Sequence, residues 1–324
     1  MKVLSLFSGI GGFDLAFRNL GHEIIGACEI DDHARCVYGR HFPGVKIYED
    51  ATKIRPEELP DFDIICAGFP CQAFSIAGKR RGFDDTRGSL FFEIARIAKE
   101  KKPSYLLLEN VKGLLSHDKG ETFRTIISTL DEVGYDAEWQ VLNSKYFVPQ
   151  NRERIFIIGH LRGRGTRQVF PLGDSNGEIH GKELKQIGNI DTKGHNSLWG
   201  RVYDPESISS TLNAKGGGLG AKTGLYAWSS SGRDGYREER IKEGEANTLN
   251  TGEGCRTQSS ANYVTNNQRI RRLTPVECER LQGFPDNWTK YGVDGKEISD
   301  TQRYKMCGNA VTVDVIEYIA KNLT

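Results

Sequence analysis

The chain has 324 residues, long for one domain of the commonest size and short for two full α/β domains, so one large domain with a smaller partner is expected. Lys and Arg number 44 against 43 Asp and Glu, a net charge of +1, which excludes a strong global field; any contact with nucleic acid needs local basic patches. With 37% hydrophobic residues, no apolar run near the roughly 18 residues of a membrane span and no leader-like start, the expectation is a cytoplasmic protein with no membrane partner.

Taken in chain order, the first half alternates strand and helix patterns. KVLSLF (2–7) is an apolar strand followed by a glycine turn, and GFDLAFRNLG (12–21) is a helix closed by glycine. EIIGACE (23–29) is a second strand, DDHARCVYGRHF (31–42) a second helix and VKIY (45–48) a short third strand. DFDIICAG (61–68) is rich enough in Ile to be buried on both faces. SLFFEIARIAKEKK (89–102) has helical spacing and a basic end, which suits the helix dipole. PSYLLLEN (103–110) is a fifth strand, ETFRTIISTLDEVG (121–134) a helix, and YDAEWQVLN (135–143) and RIFIIGHL (154–161) complete the set. Such alternation predicts an α/β fold with a doubly wound, mainly parallel sheet.

The texture changes after Leu161. Residues 162–268 are rich in Gly, Ser, Thr and Asn and lack helical periodicity, so they read as a small, irregular strand-and-loop domain. STLNAKGGGLGAKTGLYAWS (210–229) and NTLNTGEGCRTQSSANYV (247–264) form a degenerate internal echo, too few units for a solenoid. Helical pattern returns at TPVECERLQGF (274–284), where Thr274 caps, Pro275 suits the first helical position and Glu277 completes a capping box. The apolar terminal helix VTVDVIEYIAKNL (311–323) should dock back on the first domain. The expected organisation is therefore 1–161, then 162–268, then 269–324 completing the first domain.

Four features converge on one edge of the predicted sheet. Gly9, Gly11 and Gly12 separate the first strand from its helix, allowing a tight turn and close approach of a ligand. A dinucleotide fingerprint needs a third glycine where this chain has Asp14, which counts against a nicotinamide oxidoreductase. Glu29 ends the second strand where a ribose-binding carboxylate belongs, and Asp50 ends the third, so an adenosine fits this edge. Cys71 follows the fourth strand, and Glu109 ends the fifth after three leucines, where desolvation favours its protonated form. Arg152 and Arg154 alternate on the approach to a strand, so period two directs both to one side, toward Glu109, an anionic substrate, or both.

Cys71 itself reads four ways: packing, metal ligand, redox thiol or nucleophile. No CxxC pair occurs among the seven cysteines and no His or Cys cluster completes a zinc site, so no metal is expected. Cys28, Cys36, Cys66, Cys255, Cys278 and Cys307 lack the context of Cys71 and are assigned to packing. A thiolate beside a carboxylic acid suits covalent addition to an electron-poor conjugated ring. Lys79, Arg80, Arg81 and Arg87 stand among glycines after Cys71, as in a lid that closes over a polyanion. Arg162, Arg164 and Arg167 on one side of the polar insert, and Arg269, Arg271 and Arg272 on the other, fit nucleic acid in a cleft between the domains.

These motifs resemble those of the DNA cytosine-5 methyltransferases, of prokaryotic or phage type, over nearly the whole chain outside the insert. LFSGIGGFDLAF (6–17) resembles the motif that binds S-adenosylmethionine, GFPCQAFS (68–75) the Pro-Cys catalytic motif, RGSLFFE (87–93) the next and ENVKGLL (109–115) the Glu-Asn-Val motif. QNRERIFIIG (150–159), RRLTPVECERLQGFPDNW (271–288) and YKMCGNAVTVDVIEYI (304–319) resemble the remaining motifs, all in family order. The insert stands where the family places its target-recognition domain. The resemblance implies S-adenosylmethionine as methyl donor, released as S-adenosylhomocysteine, in a pocket lined by Phe7, Gly9, Gly11, Gly12, Glu29, Ile30, Asp50, Ala51, Pro70 and Asn309. It implies that a cytosine is flipped from duplex DNA, that Cys71 adds to ring carbon 6 and that Glu109 donates a proton toward ring nitrogen 3. Arg154 would contact the base with Arg152 in the same site, and Gln72 and Ser75 would lie on the DNA-facing loop. A monomer is expected, with a cognate restriction endonuclease as a possible functional partner that need not touch it. One departure is Ala77, where some members carry a serine beside the gap left by the flipped base. Two other readings keep the fold: a tRNA cytosine-5 methyltransferase, which should carry a Cys-Phe-Thr stretch this chain lacks, and a catalytically silent DNA-binding relative.

Overall fold

A computed structural model describes residues 1–70, 90–173, 186–189, 201–203, 208–212, 225–229, 268–271 and 273–323. Seven strands form the main sheet: β1 (Lys2–Leu6), β2 (Glu23–Cys28), β3 (Ile47–Tyr48), β4 (Ile64–Gly68), β5 (Tyr105–Val111), β6 (Tyr135–Asn143) and β7 (Glu153–Leu161). Their spatial order is β3-β2-β1-β4-β5-β7-β6. The first five run parallel, while β7 lies antiparallel to both β5 and β6. The order reverses between β1 and β4, so the crevice for a ligand opens at the carboxyl ends of those two strands.

The helices cover both faces, as the alternating pattern requires. α1 (Gly12–Asn19), α2 (Asp32–His41), α3 (Leu90–Lys101) and α4 (Glu121–Glu132) fall within two residues of their expected limits. Two cores result. One lies between the sheet and α1, α2 and the C-terminal helix and includes Phe13, Phe17, Val37 and Ile316; the other lies beneath α3 and α4 and includes Ile65, Phe91, Ile94 and Leu130. Each such side chain contributes about 1.5–3 kcal/mol when fully buried.

The C-terminal segment returns to the first domain as expected. α5 (Pro275–Arg280) begins with the Thr274–Glu277 capping box. α7 (Val313–Ala320) packs on α1, where Asn19 donates to Glu317 at 2.6 Å. Between them lies α6 (Asp300–Asn309), absent from the sequence expectation because its polar, glycine-containing stretch gives no continuous apolar stripe. Arg303 of α6 is buried against Glu279 of α5 at 3.1 Å, and Thr289 bonds the same carboxylate, so tertiary pairing compensates for weak periodicity.

The chain also stays with the first domain beyond Leu161. Val169, Phe170 and Leu172 belong to the first core, and β6 holds that stretch by side chains. Glu138 accepts the Val169 and Phe170 amides at 2.7 and 2.9 Å, and Gln140 exchanges two bonds of 2.8 Å with the Leu172 backbone. A smaller sheet joins β8 (Gln186–Asn189), β9 (Arg201–Tyr203), β10 (Leu225–Ser229) and β11 (Gln268–Arg271) in the order β11-β10-β9-β8. β11 pairs antiparallel with β10, so residues 269–271 go with the small sheet, past the division expected at 268. The remainder of the echo over 210–264 lies outside the described residues, as do Cys255 and Arg272.

Candidate active site

The glycine turn after β1 is built from left-handed backbone. Phe7, Gly9 and Gly11 have φ of 56°, 55° and 86°. A non-glycine residue in that region is uncommon and marks a turn held by its surroundings. Contact also requires glycine at two positions: a Cβ on Gly11 would strike the Phe42 ring, and one on Gly12 would sit 2.7 Å from Val311 Cγ2. At Gly9, among the described residues and apart from its chain neighbours, no atom lies within 4 Å of an added Cβ, so the turn is open there.

Glu29 stands beside this turn just past β2. Its carboxylate accepts the Gly9 amide at 2.8 Å and the Asp31 amide at 2.8 Å, which fixes it at the crevice. The next residue, Ile30, is 74% exposed. A bare isoleucine next to a fixed carboxylate is an apolar surface with a polar handle, the chemistry an adenosine needs. Asp50, past β3, caps a short turn through Thr52 and precedes the buried Ala51; bonding from Thr52 holds its carboxyl below the usual range. Pro70 and Asn309 are both exposed, the latter at the end of α6. Lys305 of α6 bonds Asp31 at 2.5 Å and so ties that helix to the end of β2.

Asp14 occupies the place of the missing third glycine and is fully buried. Tyr38 donates to Oδ1 at 2.8 Å and Ser5 to Oδ2 at 2.9 Å. These bonds join the first turn of α1 to β1 and α2 directly beneath the glycine turn. Burial pushes its carboxyl up to about 6 despite both hydroxyl donors.

Glu109 lies in β5, opposite Gly68 of β4 on one side and Phe156 of β7 on the other. Its strand continues one residue further than expected, to Val111. Arg154 Nε meets Glu109 Oε1 at 3.0 Å, and both side chains are nearly buried. Desolvation drives the Glu109 carboxyl above its ordinary range, and the Arg154 and Arg152 charges only partly oppose this. Burial in turn lowers the Arg154 guanidinium from its ordinary value, with the Glu109 charge acting in the other direction. A carboxyl so placed holds its proton more firmly than an exposed one and is suited to give it to a base in the crevice.

Asn110 is a participant that the sequence reading did not single out. It is buried, and its amide donates to the Phe69 carbonyl at 2.9 Å, holding the segment that leads through Pro70 to Cys71. The available signal was an asparagine inside an apolar strand, where that residue is depleted unless its side chain has a task. Gly68 has a steric role too: an added Cβ would lie 3.3 Å from Glu109 Oε2.

The two arginines part company. β7 starts at Glu153, so Arg152 precedes the strand, and its guanidinium bonds main-chain carbonyls in place of Glu109. The expected basic flank also divides. Arg162 pairs with Asp131 and Asp136 and follows the end of β7, which lies at the opposite edge of the sheet from Glu109. The reason is that β7 runs antiparallel, so its end reaches the edge where the parallel strands begin. Cys28, Cys66, Cys278 and Cys307 are buried, while Cys36 is half-buried and faces Asp294. Cys71, Gln72, Ser75, Ala77, Lys79, Arg80, Arg81 and Arg87 lie outside the described residues. Among the described residues no group of His, Cys, Asp and Glu is arranged to hold a metal ion.

Comparison with known proteins agrees across the whole chain. The family described as C-5 cytosine-specific DNA methylase matches residues 1–324. The type II methyltransferase M.HhaI of Haemophilus parahaemolyticus is 35% identical, over 100% of this chain and 94% of that protein. M.Bsp6I of Bacillus sp. (strain RFL6), also a type II methyltransferase, is 36% identical, over 100% of this chain and 98% of that protein. Among solved structures, the S. pombe Dnmt2 methyltransferase superposes with a TM-score of 0.67 at 19% identity, covering 100% of this chain and 98% of that one. At that identity the structural likeness speaks for the fold alone.

Proposed function

Because this chain belongs to the C-5 cytosine-specific DNA methylases, we propose that it methylates carbon 5 of a cytosine flipped out of a specific duplex DNA sequence, through a covalent adduct with Cys71. The observation that carries this reading is Glu109. It is buried at the carboxyl edge of the sheet, held by Arg154 and in register with Gly68, which leads into Cys71.

The chemistry follows from these groups. The Cys71 thiolate forms a bond to ring carbon 6 while the Glu109 proton moves onto ring nitrogen 3, so the ring's electron pair shifts to carbon 5. Arg154 holds the Glu109 carboxylate that results, and its remaining donors are suited to the base. Once carbon 5 carries the methyl group, loss of its proton to solvent expels the Cys71 thiolate, and return of the nitrogen-3 proton to Glu109 restores the neutral aromatic ring. S-adenosylmethionine, when bound, supplies the methyl group. The open turn at Gly9, the fixed carboxylate of Glu29 and the bare Ile30 suit its adenosine, with Phe7, Gly11, Gly12, Asp50, Ala51, Pro70 and Asn309 around it. The type II relatives suggest a restriction–modification setting with an endonuclease that shares the target.

The test is methyl transfer with labelled donor to duplex DNA and, separately, to tRNA, followed by bisulfite sequencing of DNA from cells expressing the protein. Cys71→Ser should abolish transfer, and the unaltered protein should form a stable adduct on DNA containing 5-fluorocytosine. Full activity of Cys71→Ser, or transfer to tRNA alone, refutes the reading.

A further inference from the structure

Arg152 is 3% exposed, and no carboxylate pairs with it among the described residues. Carbonyl oxygens meet its charge. Nη1 donates to Leu212 O at 3.3 Å, and Nη2 donates to Gly308 O at 3.3 Å and Ala310 O at 2.7 Å. Gly308 and Ala310 lie at the C-terminal end of α6, where free carbonyls and the negative end of the helix dipole favour a cation. One guanidinium thus joins the approach to β7, the C-terminal segment and a stretch of the insert.

That stretch, residues 208–212, is laid along residues 149–151. Ser209 bridges Gln150 in parallel, its amide donates to Pro149 O at 2.7 Å, and Asn151 N donates to Ser209 O at 2.9 Å. Thr211 Oγ1 donates to Asn151 O at 2.6 Å. The Leu212 side chain is buried with Cys278, Leu281 and Cys307, so the seat is apolar as well as hydrogen-bonded. Arg152 is the last residue before β7, and Arg154, at the start of that strand, grips Glu109. The backbone over 152–154 is therefore fixed by the insert at one end and by the acid at the other.

We propose that Arg152 is a positioning residue that ties the seating of residues 208–212 to the orientation of the Arg154–Glu109 pair, so that placing the recognition insert and setting the acid are one event; this rests on the methyl-transfer reading of that pair. Binding a DNA target that shifts the insert would then be felt at Glu109 through one side chain. A role for Arg152 in touching the base directly would leave the insert and the acid independent.

The experiment uses the full chain with three variants: Arg152→Met, Thr211→Val and the two combined. In the free protein, the Glu109 carboxyl is titrated by infrared spectroscopy with carbon-13 glutamate, with Glu109→Gln identifying its band. Single-turnover methyl transfer on duplex DNA is measured in parallel. Both single variants should move the Glu109 midpoint upward: Arg152→Met by removing an opposing charge as well as by loosening Arg154, and Thr211→Val by loosening Arg154 alone. Each should slow transfer at least tenfold, and the double variant should be no slower than the worse single one. If Thr211→Val leaves the midpoint at its original value, or if the two rate effects multiply, the coupling is refuted. An unaltered protein inactive on duplex DNA would instead overturn the functional reading, while the titration still decides whether 208–212 and Glu109 are coupled.

Discussion

Replacing Asp14 by asparagine removes a charge from the interior without removing its hydrogen bonds. The Tyr38 hydroxyl can still donate to the amide oxygen, and the Ser5 hydroxyl can turn to accept from the amide nitrogen. In the folded protein burial pushes the Asp14 carboxyl up to about 6, from an ordinary value of 3.8. The folded state therefore binds the proton more tightly than the unfolded chain, so stability falls as pH rises from about 4 to about 6 and is flat above. Ionising the carboxyl in the folded state therefore costs about 3 kcal/mol more than in the unfolded chain. The charges and dipoles facing it are Tyr38, Ser5, Arg18 and the Cys66 thiol, which burial and then the Asp14 charge push upward. Asp14→Asn should lack this part of the pH dependence. Urea unfolding followed by circular dichroism at half-unit steps from about pH 4 to 8 measures it as the variant's free energy minus that of the parent. That difference should climb by about 3 kcal/mol in the variant's favour across the window. A difference that stays level from pH 4 to 7 would mean that the buried carboxyl carries no such penalty, and the reasoning would fail.

Two further outcomes follow from Glu109. Gly68→Ala puts a methyl group 3.3 Å from Glu109 Oε2, so single-turnover methyl transfer should fall at least tenfold while thermal unfolding shows a loss of about 1–3 kcal/mol; a rate equal to the parent's would show that the carboxylate has room to move. Arg154→Met leaves Glu109 buried without the cation that holds its titration down, so its folded-state value rises further. Above that value the unpaired carboxylate should cost about 3–5 kcal/mol, and the deficit should shrink as pH falls and the group protonates, read from urea midpoints at pH 5 and 8.5; an equal deficit at both would refute it.

Much of this architecture was legible in local patterns. The Ile-rich and Leu-rich strands, the glycine turn and the capped helices are set by side-chain periodicity and backbone preference, which act over a few residues. The same holds for the alignment of Gly9, Glu29, Asp50 and Glu109 at one sheet edge, because residues at strand ends share an edge once the strands are parallel. α6 was not legible, since its stability comes from Arg303 buried against Glu279, a partner distant in the chain. The division of labour between Arg152 and Arg154 was equally hidden. Spacing alone makes them equivalent, but one finds the carboxylate of Glu109 and the other the carbonyl end of a helix brought in from the far end of the chain. The antiparallel course of β7 likewise carried Arg162 away from the edge where its basicity had suggested a role. Local chemistry determined which elements form and which edge they offer. Tertiary packing decided which partner each buried charge meets, because a charge removed from water must be compensated by whatever group the fold brings within hydrogen-bonding distance, and sequence separation says nothing of that.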